Sequence, residues 1–529
     1  MTKIPFNGRV LMLGFGGVAQ CTLPLLLRHL DVMPDRITVL DFVDCRKPLA
    51  TYLAQGVKSV RERITPDNYE AELARHVGPG DLIVDLAWNI DCATMLDFCR
   101  RHDVLYVNTS VEVWNPYSEI DAKTPPERTL YARHMALRKV FGGWASNPGA
   151  TAILDHGANP GLVSHFTKMA LIDIAHRIIS EKPDDPRRAV LEDALGASQF
   201  NRLAQAAGVK VIHISERDTQ ISNKRRRGNE FVNTWSVEGF YEEGIAPAEM
   251  GWGTHERKLP HDAWQHTSGP RNQICLERFG MNAFVRSRVP SSEIVGMIIR
   301  HGEAFSISEF LTVKGARGKA VYRPTVHYAY LPCEYAVASL DDLREQDFVM
   351  HEKWRIMRDE IVCGYDELGV LLMGHDFQSW WSGTILDIDE ARRLVPGQNA
   401  TTMQVAASVT SAVSWMIKNP RRGVLLPDQL PHEEILEMAR PYLGKVLSIP
   451  IAWAPVPTCD DDDSDSARST KTRSTKARST KAWAANAMSD EIWQFSNFLL
   501  EPMSNLVASE AILGPQLLKE FGDPAGLMI

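Results

Sequence analysis

The chain has 529 residues and a formal net charge of −8, from 66 acidic and 58 basic side chains; 44% of residues are apolar and 23% charged. That length exceeds what one hydrophobic core supports, so two or more domains are expected, and the mild acidity disfavours nucleic-acid partners. No run of about 18 apolar residues predicts a membrane span, and eight scattered cysteines without a Cys-x-x-Cys pair argue against a disulfide framework or zinc cluster and for a reducing, cytoplasmic setting.

Residues 1–110 alternate strand and helix signals. Val10 to Leu13 is a short apolar run that ends in glycines. Gly17 to Leu30 then reads as a helix burying Leu25, Leu26 and Leu30. Ile37 to Leu40 is a second strand, closing at Asp41. Leu82 to Leu86 and Val104 to Val107 are further buried strands, with a helix carrying Met95, Leu96 and Cys99 between them. The alternation predicts an α/β fold with a Rossmann-type, doubly wound parallel sheet.

The first strand-to-helix turn carries Gly14, Gly16, Gly17, Val18 and Ala19. The first glycine of such a turn permits its tightness, the second admits a pyrophosphate, and a small third residue lets helix and strand pack closely. The helix N-terminus then offers backbone N–H groups to phosphate. Asp41, at the end of the next strand, is placed to accept hydrogen bonds from the adenosine ribose. A carboxylate there repels a 2′-phosphate, so NAD is favoured over NADP.

After residue 150 the texture changes to irregular stretches rich in Trp, Gly and His. Phe231 to Trp235, Ile307 to Val313 and Val321 to Tyr330 read as strands of a second, α+β domain with large loops. Gln398 to Ile417 returns to a helical pattern. The division expected is a dinucleotide domain over 1–152 completed by 392–426, and a substrate and dimerisation domain over 153–391 completed by 427–458 and 486–500. Residues 459–485 hold an acidic run and three Arg-Ser-Thr-Lys repeats, a low-complexity linker that cannot bury a core, and 501–529 are a C-terminal extension. No His/Cys/Asp/Glu spacing indicates a metal site: His261 and His266 lack the His-Glu-x-x-His pattern. The basic run Lys224 to Arg227 reads as an exposed loop.

Five polar strings carry a family resemblance: Gly-Ala-Asn-Pro-Gly-Leu-Val-Ser at 157–164, His-Ile-Ser-Glu-Arg-Asp-Thr-Gln at 213–220, Val-Asn-Thr-Trp-Ser-Val-Glu-Gly-Phe at 232–240, Tyr-Arg-Pro-Thr-Val-His-Tyr-Ala-Tyr at 322–330 and Asp-Glu-Leu-Gly-Val-Leu at 366–371. They resemble the bacterial homospermidine synthases, and the likeness runs from the first strand to about Trp453, resuming at Trp493. The Arg-Ser-Thr-Lys insert and the tail depart from it. The resemblance implies a saccharopine dehydrogenase-like fold, a homodimer and a tightly held, recycled NAD. It implies a redox-neutral transfer in which two putrescines give homospermidine and ammonia, with spermidine as an alternative aminobutyl donor. An amine is oxidised to an iminium, ammonia leaves, a second diamine condenses, and the stored hydride reduces the new imine.

Such chemistry needs carboxylates for ammonium ends and a group that stabilises a transient cation without reacting. The resemblance places Trp235 over the substrate amine, where an indole face attracts a cation; among 13 tryptophans a core position is the plain alternative. It places Glu216 and Glu243 near Trp235 as inner-site acids that bind ammonium and shuttle protons, although each also reads as part of a surface charge cluster. Paired acids around a cation are expected to keep low pKa values. Glu112 follows a strand's C-terminal end and is assigned to the outer diamine channel, and Asn89 sits in the equivalent loop of the neighbouring strand, where asparagine replaces a charge found in the family. Asn159 is expected to orient the nicotinamide or the amine, against a simple turn role in Asn-Pro-Gly. Thr109 is placed with the cofactor contacts, and His301 is a proton relay near neutral pH or a satisfied structural histidine. The alternative activity is a net oxidoreductase of the saccharopine or carboxyspermidine dehydrogenase type, whose carboxylated substrates would call for arginines in the site. A dinucleotide-binding scaffold that tethers a partner through the basic repeats is the reading from a different class.

Overall fold

The structure is a computed structural model that describes residues 2–118, 122–144, 148–455 and 491–500. The expectations for 459–485 and for the extension at 501–529 lie outside the described residues.

Seven strands form one parallel sheet in the order Val424–Leu425, Ala152–Ile153, Leu105–Asn108, Leu82–Asp85, Val10–Leu13, Ile37–Asp41, Lys58–Arg61. The strands are short unbroken apolar runs because both faces are covered. Alternate residues show it. Val10, Met12, Leu82, Val84, Leu105 and Val107 pack on one side against helices Gly17–His29 and Ala400–Lys418. Leu11, Leu13, Ile83 and Tyr106 pack on the other against Met95, Leu96 and Phe98 of helix Cys92–His102. That helix starts where the Asp91 carboxylate accepts a bond from the Thr94 N–H at 2.7 Å, an N-cap of the usual kind. Chain order reverses at Val10–Leu13, which opens a crevice outside the strands' C-terminal ends. Helix Ala400–Lys418 lies along helix Gly17–His29, so a late segment of the chain completes the layer over the first strands.

A second, mixed sheet of eleven strands has as its spine Pro247–Gly251, Thr325–Leu331, Val211–Asp218, Tyr365–Met373, Ser379–Asp387 and Lys445–Ile451. Thr325–Leu331 and Val211–Asp218 run parallel, with Tyr330 beside Glu216. Helix Leu162–Glu181 covers this sheet with Leu162, Phe166, Ala170, Ile174 and Ile178, all fully buried.

Three sequence expectations change. The sequence pattern predicts a strand over Ile307 to Val313, but Gly302–Phe310 is a helix and extended structure resumes only at Val313–Lys314. Residues 302–308 are buried on every side, so the helix shows no polar stripe, and its short apolar alternation imitates a strand. Val321 to Tyr330 is two strands, Ala320–Tyr322 and Thr325–Leu331, broken before Pro324, which lacks the N–H a ladder needs. The strand expected over 231–235 spans Glu230–Asn233, leaving Trp235 in the turn before helix Val237–Ile245.

Phe166 is 0% exposed at the centre of this packing. Phe166→Ala is expected to cost about 3–5 kcal/mol, read as a lower urea-unfolding midpoint. An unchanged midpoint would show that the helix contributes little to the core.

Candidate active site

At the glycine turn, backbone comes close to backbone. Gly14 has φ +78°, and a Cβ there would stand 2.8 Å from the Leu86 carbonyl oxygen and 2.9 Å from the Ala87 Cα. Gly14 donates its N–H to the Leu40 carbonyl at 2.9 Å, tying the turn to the adjacent strand. Gly16 is different: a Cβ there would meet nothing within 4 Å. It is the N-cap of helix Gly17–His29, without a side-chain cap and with no acid in the first turn. The bare helix start, open at Gly16, has the form that receives an anion. Ala19 is fully buried, and Gly17 lies in the seam where a Cβ would come 3.6 Å from the Trp235 carbonyl. The Asp41 carboxylate accepts the Phe15 N–H at 2.6 Å and the Val43 N–H at 2.9 Å. It is therefore held against the turn with acceptor capacity to spare, as a ribose would require.

From this turn a cavity of about 170 Å³ extends between the C-terminal edge of the parallel sheet and the second sheet. Val18, Thr109, Glu112, Asn159, Glu216, Trp235, Glu243 and His301 all line it. The fold thus brings together most of the positions singled out by sequence. Of the positions expected to bind substrate or act on it, Asn89 alone is not among the lining residues; it occupies a left-handed turn (φ +59°) with a buried, unpartnered Oδ1, while its neighbour Trp88 reaches the cavity.

The loop 157–161 is closed on itself. Gly161 has φ +133°, and a Cβ there would fall 1.9 Å from the Gly157 oxygen, so only glycine fits. The loop projects Asn159, whose side-chain amide donates to the Glu216 carboxylate and to the Tyr328 hydroxyl. Tyr328 in turn donates its hydroxyl proton to Glu216. Burial raises the Glu216 carboxyl to about 8, against the lowering effect of those two donors. Burial likewise raises Glu243 well above the usual carboxyl range. Burial, then the neighbouring Glu242, push Glu112 up to about 7, although the Ser110 hydroxyl donates to it at 2.6 Å. The protein by itself therefore does not hold these acids at low pKa. Arg133 and Arg300 lower Glu112 and Arg300 lowers Glu243, but burial outweighs them.

Glu242 is the contrast. Burial opposes its charge, but Arg300 and Arg133 both bond to it and bring its pKa below the ordinary value. Both arginines line the cavity, and both are committed to this carboxylate. Trp235 is half-buried with its ring packed closely over Gly239, where a Cβ would lie 2.7 Å from the indole Cζ3. His301 meets the Tyr328 ring edge-on at 4.4 Å, and its Nε2 stands 3.5 Å from Glu243. Burial lowers His301 to about 3. That direction favours the structural role over the proton relay, with the imidazole standing between Glu243 and Tyr328.

Sequence reasoning missed Tyr328, Arg133, Arg300 and Asp155 as lining residues. Tyr328 was within reach, since it falls in one of the polar strings and alternates with Tyr330 on one strand face. Arg133 and Arg300 are far apart in sequence, and nothing local marks their shared partner Glu242.

Residues 10–153 match the saccharopine dehydrogenase NADP binding domain and residues 157–449 the saccharopine dehydrogenase C-terminal domain. The chain is 40% identical to the homospermidine synthase of Blastochloris viridis over 463 residues, which covers 85% of this chain and 92% of that protein. It is 39% identical to the homospermidine synthase of Mesorhizobium japonicum over 457 residues, with the same coverage. The crystal structure of the Legionella pneumophila homospermidine synthase in complex with NAD is similar, with a TM-score of 0.77 and 34% identity, covering 94% of this chain and 99% of that one. Glycine turn, sheet order and acid-lined cavity define a dinucleotide-dependent enzyme of the saccharopine dehydrogenase type. Within that class, the chain belongs to the homospermidine synthases.

Glu216 in the folded chain holds its proton up to about 8, whereas an unfolded glutamate releases it near 4.3. A raised acid contributes stability below the unfolded value and loses it as pH rises through the folded one. The thermal midpoint should accordingly fall from about pH 4.5 to about pH 8, and the fall should be shallower in Glu216→Gln. Parallel curves for the two proteins would contradict the raised carboxyl.

Proposed function

We propose that this chain is an NAD-dependent homospermidine synthase that performs redox-neutral aminobutyl transfer, converting two putrescines to homospermidine and ammonia, with spermidine as an alternative donor. The observation that carries this reading is the cavity itself. Glu112, Glu216 and Glu243 converge with an indole at the sheet edge next to the glycine turn. All three are raised in pKa by burial, and a diammonium ligand supplies the charge that would ionise them. NAD, when bound at Gly14 to Ala19 with its ribose on Asp41, accepts hydride from the carbon beside the amine and returns it to the new imine.

The chain's own residues do the rest. Glu216 and Glu243 grip the ammonium of the reacting end, and Glu112 holds the distal end. Asn159 sets the Glu216 carboxylate through its amide, within the cavity. Trp235 offers a π face to the transient cation, worth about 1–2 kcal/mol when desolvated. His301 keeps Glu243 and Tyr328 apart and stays uncharged, so it adds no positive charge against the substrate. A carboxylated substrate, as in the saccharopine-type alternative, needs a free arginine, and the two that line the cavity are both taken up by Glu242. The same reading takes the chain to be a cytoplasmic homodimer, which light scattering on the purified protein checks for its oligomeric part.

The test is incubation with putrescine and NAD at a small fraction of the putrescine concentration. Homospermidine and ammonia should accumulate far beyond the NAD supplied, without net NADH. Product limited to the NAD present would overturn the proposal. Trp235→Ala should lower kcat/KM about tenfold or more, the equivalent of at least ~1.4 kcal/mol, with the dissociation constant for NAD little changed. Asp41→Ala should weaken NAD while narrowing its advantage over NADP, measured by fluorescence titration of both cofactors.

A further inference from the structure

One titratable pair beside the cavity has no part in the reading above. Asp155 follows strand Ala152–Ile153 at the C-terminal edge of the parallel sheet and lines the cavity. It is 4% exposed and holds a left-handed backbone (φ +55°), a conformation costly for a residue other than glycine and concentrated at functional sites. The Asn108 side-chain carbonyl fixes it by accepting the Asp155 N–H at 2.9 Å. Behind it is His134, 3% exposed on helix Leu130–Gly142, with its Nε2 2.8 Å from the Asp155 Oδ2. The pair is packed against the first residue of helix Gly302–Phe310. A Cβ on Gly302 would come 2.5 Å from the Asp155 Oδ2 and 3.2 Å from the His134 Nε2. Three features of the fold, a left-handed turn, a buried imidazole and a glycine, thus converge on one carboxylate that lines the cavity.

The proposed reaction requires such a group. Putrescine arrives as an ammonium, and hydride can leave the adjacent carbon only once that nitrogen has lost a proton. The balance over the cycle is definite. The donor R–CH2–NH3⁺ loses one proton and one hydride to become R–CH=NH2⁺. Water converts this to R–CHO and NH4⁺, with no further proton exchanged. The second ammonium R′–NH3⁺ and the aldehyde give R′–NH⁺=CH–R and water, again without net exchange. Return of the hydride leaves a neutral secondary amine that needs one proton to become R′–NH2⁺–CH2–R. One proton is therefore out of the substrate for the same interval as one hydride.

We propose that Asp155 and His134 store that proton, Asp155 as the catalytic residue that takes it from the donor ammonium and His134 as the positioning residue that receives it through the carboxylate. The proposal rests on the aminobutyl-transfer reading. The other acids are less suited. Glu216 already accepts bonds from Asn159 and Tyr328, and the imidazole next to Glu243 is farther away, at 3.5 Å, and held neutral by burial. Of the other titratable groups, Cys92 and Glu303 interact with Asp155. Both are kept protonated by burial and so present no competing charge.

The experiment compares wild type, Asp155→Asn and His134→Asn in single turnovers with putrescine and NAD, in weak buffer with a pH-indicator dye. Wild type should release less than half a proton per NADH formed transiently. His134→Asn should release close to one, and Asp155→Asn should form NADH about 100-fold or more slowly, the usual scale for losing a general base. NAD affinity and thermal midpoint serve as checks on folding. If Asp155→Asn does not fold, the proton count of His134→Asn decides. Wild type that makes homospermidine while releasing a full proton with each NADH, or an Asp155→Asn enzyme within about threefold of wild type in kcat/KM, would overturn the proton store and leave the activity standing. Wild type that makes no homospermidine would instead overturn the activity itself.

Discussion

The structure depends on one junction, where the Asn159 amide bonds both the Glu216 carboxylate and the Tyr328 hydroxyl. Asn159 is carried by the loop that leaves the parallel sheet. Glu216 and Tyr328 are on adjacent parallel strands of the second sheet. The bond therefore sets where Glu216 stands relative to the glycine turn. Glu216 and Tyr328 are buried, so loss of the Asn159 amide leaves their oxygens short of a donor at a cost in desolvation. The closed loop with its obligatory Gly161 keeps Asn159 from drifting.

Around this junction the charges are arranged unequally. Glu242 has two arginines and stays ionised, whereas Glu112, Glu216 and Glu243 are desolvated with too little positive charge nearby. Such a site favours ligands that arrive with their own cations and penalises those bearing carboxylates. The two arginines that line the cavity are neutralised in place by Glu242 and are not free to pair with a carboxylated ligand. Buried His301 and the half-buried indole of Trp235 complete the lining, and an indole face is one that a cation is attracted to.

Much of the first domain was legible from sequence. A glycine turn after an apolar run, with an acid at the end of the next strand, leaves few other physical readings. Gly14 and Gly16 are distinguishable only in three dimensions, since one packs against Leu86 and Ala87 and the other faces open space. In the second domain local pattern misled where burial is complete on all sides, as in helix Gly302–Phe310. Asn89 was placed by analogy between successive strand ends, but its backbone turns left-handed and presents Trp88 instead.

The sequence by itself determined the parallel sheet, the dinucleotide turn and most of the polar residues of the cavity, because each is marked by short-range pattern or by a long polar string. Only the tertiary structure decided which acids share a charge. Glu242 and Glu243 are neighbours in the chain, yet one is ionised between Arg133 and Arg300 while the other is desolvated beside a neutral histidine. It also decided that Asp155 and His134 form a pair. Electrostatics in a buried site depends on distance through space and on exclusion of water, and neither is written in the order of residues.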